Sequence, residues 1–170
     1  GDPFPALTAC FQEEGVGVAA PLIVNEAGEI EDSARRFPTP IRLLAKLLGR
    51  PKKPDYVIQS EPIRPDWVAG MFMMFSSRCF REMGGFDARY FLYYEDVDMC
   101  ARLRLAGYEA VLCPSVVVAH DARRQSHHSL KYMRWHLLSI FRFFRSDVYR
   151  RTMAGMGARP HSAEARRERR

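Results

Sequence analysis

The sequence predicts an α/β fold, and three stretches carry that reading. Residues 16–24 are rich in β-branched side chains and read as a strand. Residues 95–106 read as a helix, stopped by Gly107. Two short apolar runs follow at 108–113 and 115–119, separated by Pro114, and read as further strands. Strands alternating with helices give a helix layer on a sheet, here with part of the sheet missing.

The remaining elements follow in order. Residues 5–14 read as the end of a helix closed by Gly15, and Pro21 places the end of the first strand near a sheet edge. Residues 25–28 form a turn, and 33–40 are irregular. Leucines at 43, 44, 47 and 48 have the spacing of an amphipathic helix that Gly49 ends. Six of the eleven prolines fall at 38, 40, 51, 54, 62 and 65, so a long irregular connection is expected there, of the functional or mobile kind. Arg50, Lys52 and Lys53 on it could face an anion, although solvated loop charges explain them as well.

Residues 67–75 read as a buried strand. Ser76 or Ser77 caps a short helix through Met83, ended by Gly84-Gly85, and 86–94 is an aromatic-rich connection. Ser126 or Ser129 opens a long helix to about Tyr149. Beyond it Gly, Ala and Arg dominate. The expected organisation is one domain over 1–149 and a basic, disordered tail over 150–170.

Composition narrows the function classes. The chain has 170 residues, 47% of them hydrophobic and 27% charged, enough for a packed core. The net charge of +6 is confined to residues 142–170, and the rest balances to zero. The body is therefore not a basic nucleic-acid reader. Cys10, Cys79, Cys100 and Cys113 are widely spaced with no CxxC pair, which argues against a zinc ribbon or a disulfide framework. With no secretory leader in view, the expectation is a cytoplasmic protein with reduced thiols. The first residue, Gly1, hints at a piece of a longer chain.

The most informative stretch is 84–102, GGFDARYFLYYEDVDMCAR. On a helix Asp96 shares a face with Met99, Cys100 and Leu103, at i+3, i+4 and i+7. Glu95, Asp98 and Arg102 point elsewhere, with Asp98 and Arg102 expected as an ordinary surface pair. A carboxylate on an apolar face is costly unless something holds it. Helix capping is one explanation, and spacing alone favours it; a general base looking into a cleft is the other. His120 ends the strand-like run 116–119, either as a polar strand end or as a metal ligand. Arg123, Arg124, His127 and His128 could fold over a diphosphate or simply be solvated. The long helix carries an apolar stripe of Leu130, Met133, Leu137, Ile140, Phe141 and Phe144, which suits either the domain core or a membrane surface, given Arg142, Arg145, Arg150 and Arg151 around it.

Taken together, Trp67-Val-Ala-Gly70, Gly84-Gly-Phe-Asp87, Tyr93-Tyr-Glu-Asp-Val-Asp98, Arg102, Ala106-Gly-Tyr108 and Val116-Val-Val-Ala-His120 form an ordered series. The series resembles the C-terminal half of family-two inverting glycosyltransferases of the GT-A fold, especially bacterial rhamnosyltransferase-like enzymes of cell-envelope polysaccharide synthesis. It covers roughly residues 6–145. The resemblance implies a partial GT-A (nucleotide-diphospho-sugar transferase) fold lacking its N-terminal nucleotide-binding half. It implies a hexosyltransferase-type activity from a nucleotide-sugar donor to a glycan or lipid-linked acceptor, with inversion.

The same resemblance makes Asp96 the catalytic base, helped by Glu95, and places Trp67 and Gly70 near the sugar and acceptor subsites. It implies a divalent metal, Mg or Mn, with His120 contributing to its site. Arg123 and Arg124 are the expected substrate-binding arginines. The Asp-x-Asp metal motif of the family's N-terminal half does not occur ahead of residue 16; the Asp96-Val-Asp98 string belongs to the later motif. The expected location is the cytoplasm, with room for peripheral contact at the inner face of the cell membrane, and no nucleic-acid partner. The competing reading is a non-catalytic module that binds a partner or a membrane surface. A metal hydrolase built on Asp96, Asp98 and His120 lacks any recognised ligand spacing.

Overall fold

The structure, a computed structural model, describes residues 1–49, 54–120 and 130–156. Strand β1 (Val16–Val24) forms where the sequence places it, and the other elements assemble around it. It lies between β4 (Met74–Phe75), which pairs antiparallel, and β5 (Glu109–Ala119), which pairs parallel. Both of its faces are buried, which is why it reads as a continuous apolar run.

Pro21 corrects one expectation. Its strand is central, not an edge. The β1–β5 register shifts between Pro21 and Leu22, and Pro114 falls in the same interval of β5. Proline has no N–H for a ladder, and an irregularity in the pairing accommodates it. That shift also lets β5 run as one strand through Pro114 instead of two.

The expected strand over 67–75 divides. β3 (Trp67–Val68) pairs antiparallel with β2 (Ala34–Arg35), a pair inside the stretch read as irregular, and forms a second small sheet. Residues 69–73 turn the chain from that sheet into β4.

The main sheet is covered on both faces. Helix α1 (Phe4–Ala9), continued by a 3₁₀ turn at Cys10–Gln12, brings Leu7 against Val16, Ala19, Val111, Cys113 and Val116. Helix α4 (Glu95–Leu105) covers the opposite face with Val97, Met99, Cys100 and Leu103, against Val18, Ala20, Leu22, Ala110 and Leu112. Gly17 faces the end of α4 at close range. A Cβ there would stand 2.8 Å from Leu103 Cδ2 and 2.9 Å from Tyr108 Cβ, so any side chain would push helix and sheet apart.

Helix α2 (Pro40–Leu47) starts at Thr39, whose side chain accepts a hydrogen bond from Arg42 N–H at 3.2 Å. Its apolar residues Ile41, Leu44 and Leu47 face outward. The described part of the proline-rich connection, 54–66, is tied down. Asp55 accepts from Arg36 N–H at 2.9 Å and pairs with Arg42, and Ile63 forms a bridge to Leu112 along the edge of β5. This strap covers a strand edge that would otherwise be open. Arg50, Lys52 and Lys53 lie outside the described residues.

Helix α3 (Ser77–Glu82) begins after Ser76, which makes no side-chain capping bond. The C-terminal segment is two helices, not one. Helix α5 (Leu130–Arg145) ends at Ser146, whose Oγ donates to Phe143 O at 2.7 Å and accepts from Tyr149 N–H at 3.0 Å. Helix α6 (Asp147–Met156) then packs against α4, with Thr152 buried and Val148, Tyr149, Met153 and Met156 against the core. The tail expected to be disordered from residue 150 is therefore helical to 156, because its apolar side chains fall on one face and find α4. Residues 157–170 and the capping positions Ser126 and Ser129 lie outside the described residues. All four cysteines are unpaired, with Cys79, Cys100 and Cys113 buried.

Candidate active site

The site is built at the start of α4. Tyr93 and Tyr94 both sit in the left-handed region, at φ 65° and 70°. Two successive non-glycine residues there are uncommon, and the surrounding contacts must hold them. The His136 ring of α5 stacks on Tyr93 with centroids 4.8 Å apart, Tyr94 packs against Phe143, and Ser139 Oγ donates to Leu92 O at 2.8 Å. Helix α5 thus clamps the residues that turn the chain into Glu95 and Asp96.

Asp96 is half-buried and well supported. Its Oδ2 accepts from Gly70 N–H at 2.8 Å and its Oδ1 from Val97 N–H at 2.8 Å. Burial raises its pKa above the ordinary aspartate value; these two N–H groups and the nearby Arg35 guanidinium act against that. Gly70 lies directly against the carboxylate: a Cβ there would meet Asp96 Oδ2 at 3.4 Å and Asp96 Cβ at 3.5 Å, in ordinary van der Waals contact. Glu95 is also half-buried. Its Oε2 is shielded and has no hydrogen-bond partner, and burial raises its pKa, with the Asp96 charge adding to the effect.

The second sheet frames these groups. Ala69 N–H donates to Ser33 O at 2.8 Å, which fixes Gly70 beside β2. Ser33 Oγ is a further buried oxygen without a partner. Arg35 lies over the Trp67 ring at 5.3 Å and bonds back to Asp32 O at 2.9 Å. Reading the sequence missed Arg35, because an arginine in a two-residue strand carries no local signal.

Trp67 has a packing role here. It is 8% exposed, belongs to the core, and donates its indole N–H to Arg36 O at 3.0 Å. Asp98 and Arg102 are also placed differently from the surface pair expected. Asp98 is 2% exposed and accepts from Arg102 Nε at 2.7 Å, while Arg102 also donates to Met83 O at 2.6 Å and Gly85 O at 3.0 Å. The pair buckles α4 to the Gly84-Gly85 turn. The helical wheel missed this because α4 is covered on more than one side. Asp66 is a second buried carboxylate that sequence spacing did not reveal; it accepts from Phe37 N–H and Arg104 Nη1, each at 3.0 Å.

His120 ends β5, and its N–H donates to Val24 O at 2.9 Å at the end of β1. Its Nδ1 is buried without a partner. No group of three or more His, Cys, Asp or Glu able to hold a metal occurs among the described residues, so these residues do not form a complete metal site around His120. Arg123, Arg124, His127 and His128 lie outside the described residues.

A carboxylate held by two backbone N–H groups at a helix start, and raised in basicity by burial, is the equipment of a general base. It stands within the motif series that resembles glycosyltransferases, and the chain as a whole is similar to such enzymes. No protein-family model matches the chain. The chain is homologous to glycosyltransferases of the rhamnosyltransferase kind, and its mixed α/β sheet is a partial GT-A fold. It is similar to the rhamnosyltransferase WbbL of Escherichia coli, 35% identical over 127 residues that cover 72% of this chain and 48% of that protein. It is similar to the N-acetylglucosaminyl-diphospho-decaprenol L-rhamnosyltransferase of Mycobacterium tuberculosis, 36% identical over 123 residues, 67% of this chain and 40% of the relative. The hexosyltransferase Agl10 of low-salt glycan biosynthesis in Haloferax volcanii is 28% identical over 117 residues, 68% of this chain and 36% of that protein. The chain spans less than half the length of each of these curated relatives.

Proposed function

We propose that the chain is part of an inverting glycosyltransferase of cell-envelope glycan synthesis. It moves a sugar from a nucleotide-sugar donor to a glycan or lipid-linked acceptor. The observation that carries this reading is the Asp96 carboxylate. Both of its oxygens are oriented by backbone donors, and each keeps a lone pair for an incoming hydroxyl.

In the proposed step the acceptor O–H bond breaks and its proton passes to Asp96. The acceptor oxygen attacks the anomeric carbon from the side opposite the nucleoside diphosphate. The bond from that carbon to the diphosphate oxygen breaks, and the configuration inverts. Gly70 and Val97 hold the carboxylate, and α5 fixes the turn that presents it. Glu95, with its shielded oxygen, positions the base or the acceptor. The mycobacterial relative's name supplies a model for the acceptor class, a sugar on a lipid diphosphate.

The test is Asp96→Asn in the intact protein, assayed for sugar transfer from a nucleotide sugar. The substitution keeps the side-chain shape and removes the base. Turnover is expected to fall by about 10² to 10⁴, with the circular dichroism spectrum unchanged. Turnover near that of the parent would remove Asp96 from the role.

A further inference from the structure

The α5 stripe that the sequence offered to either core or membrane is largely turned outward. Leu130 is 79% exposed, Leu137 59% and Phe141 62%, with Met133 and Leu138 also exposed. At about 100° per residue, Leu130, Arg134, Leu137, Leu138, Phe141 and Arg145 lie within one broad face. The opposite face, with His136, Ser139 and Phe143, is the one that grips the domain. Helix α5 is therefore anchored on one side and presents a second, apolar side to its surroundings.

The charge on α5 itself has one sign. No Asp or Glu occurs between residues 130 and 145. Where α5 meets the 86–94 connection, a groove of about 360 Å³ is lined by Arg89, Leu138, Phe141, Arg142, Arg145 and Ser146. Arg142 donates to Arg89 O and lies over the Tyr90 ring at 5.8 Å, and Arg145 lies over the Phe141 ring at 5.2 Å. Arg89 is ion-paired with Asp87 at 2.6 Å, which leaves the Arg142 and Arg145 guanidinium groups beside an apolar floor, an arrangement that suits a phosphate ester whose other end is hydrocarbon. An apolar helix face rimmed by arginines is the composition that lies in a bilayer interface. No described helix is long and apolar enough to cross a membrane, so the contact would be in the membrane plane.

We propose that the outer face of α5, with the Arg89–Arg142–Arg145 groove, is a docking surface for an anionic phospholipid bilayer. The helix lies flat, Leu130, Leu137 and Phe141 enter the acyl boundary, and the arginines hold headgroup phosphates. Because the inner face of α5 holds Leu92 and Tyr93, docking would bring the Glu95–Asp96 turn close to the headgroup layer. The docking surface stands independently of the catalytic reading, and only its use in presenting a lipid-linked acceptor rests on it.

The experiment is flotation of the full chain with vesicles of phosphatidylcholine alone and of phosphatidylcholine with phosphatidylglycerol. The parent is expected to float with the anionic vesicles and to be released by high salt. Arg142→Gln/Arg145→Gln should weaken binding by about fivefold per arginine. Leu137→Glu/Phe141→Glu, at exposed positions, should abolish binding even though residues 157–170 remain. Thermal melts of both variants check that the fold survives. Binding that is equal on neutral and anionic vesicles, or that the double glutamate variant retains, overturns the proposal, and so does a parent that does not float. Asp96→Asn should float like the parent, so a failed catalytic assignment and a failed docking surface are read separately.

Discussion

Two adjacent carboxyl groups, Glu95 and Asp96, are pushed above their ordinary values of 4.5 and 3.8 by burial. A raised folded-state value means the native protein holds these protons more tightly than the unfolded chain does. The resulting stability is fully present below the ordinary carboxylate values and is lost as pH rises through the raised ones. As pH rises above these ordinary values, stability of the parent should therefore fall more steeply than that of Glu95→Gln/Asp96→Asn. Urea unfolding of both proteins across a pH series that starts below the ordinary carboxylate values measures the difference. Parallel behaviour would mean that the two acids titrate as they do in the open chain. Functionally, a base strengthened by burial accepts a hydroxyl proton more readily than a solvated aspartate. Asp66 shows that burial alone does not define a base: it is ion-paired with the Arg104 guanidinium, whereas both donors to Asp96 are backbone N–H groups.

At the scale of elements, α4 is held at both ends by charge. Near its start, Asp98 and Arg102 join the helix to the Gly84-Gly85 turn, and at its end Arg104 reaches Asp66 at 3.0 Å. Removing one partner of a buried pair leaves the other charge uncompensated. Asp98→Ala should cost about 3–5 kcal/mol, read by denaturant unfolding. Arg102→Ala should cost a similar amount, and the double variant less than the sum, because the two residues share one interaction. Additive losses would show that the pair does not act as a unit. The clasp also bears on the site, because the helix it fixes is the one that aims Asp96 at Gly70.

For the molecule as a whole, α6 determines how much of the C-terminal segment belongs to the folded body. Ending the chain after Ser146 would uncover the side of α4 that Val148, Tyr149, Thr152 and Met153 cover. Partial burial of several such side chains stabilises by about 3 kcal/mol or more in total, and the truncated protein should melt at a correspondingly lower temperature. An unchanged melting temperature would make α6 an appendage. The sequence by itself determined the order of the main elements, the apolar strand at 16–24, the helix that starts at Glu95 and the motif series that names Asp96, because periodicity, glycine stops and motif spacing are local properties of a chain. Only the tertiary structure decided that Pro21 is central, that residues 67–75 serve two sheets, that Asp98 is buried, that Tyr93 and Tyr94 take left-handed conformations, and that the α5 stripe faces outward. Each of these depends on which face of an element meets another, and a side chain's environment is set by neighbours far away in sequence.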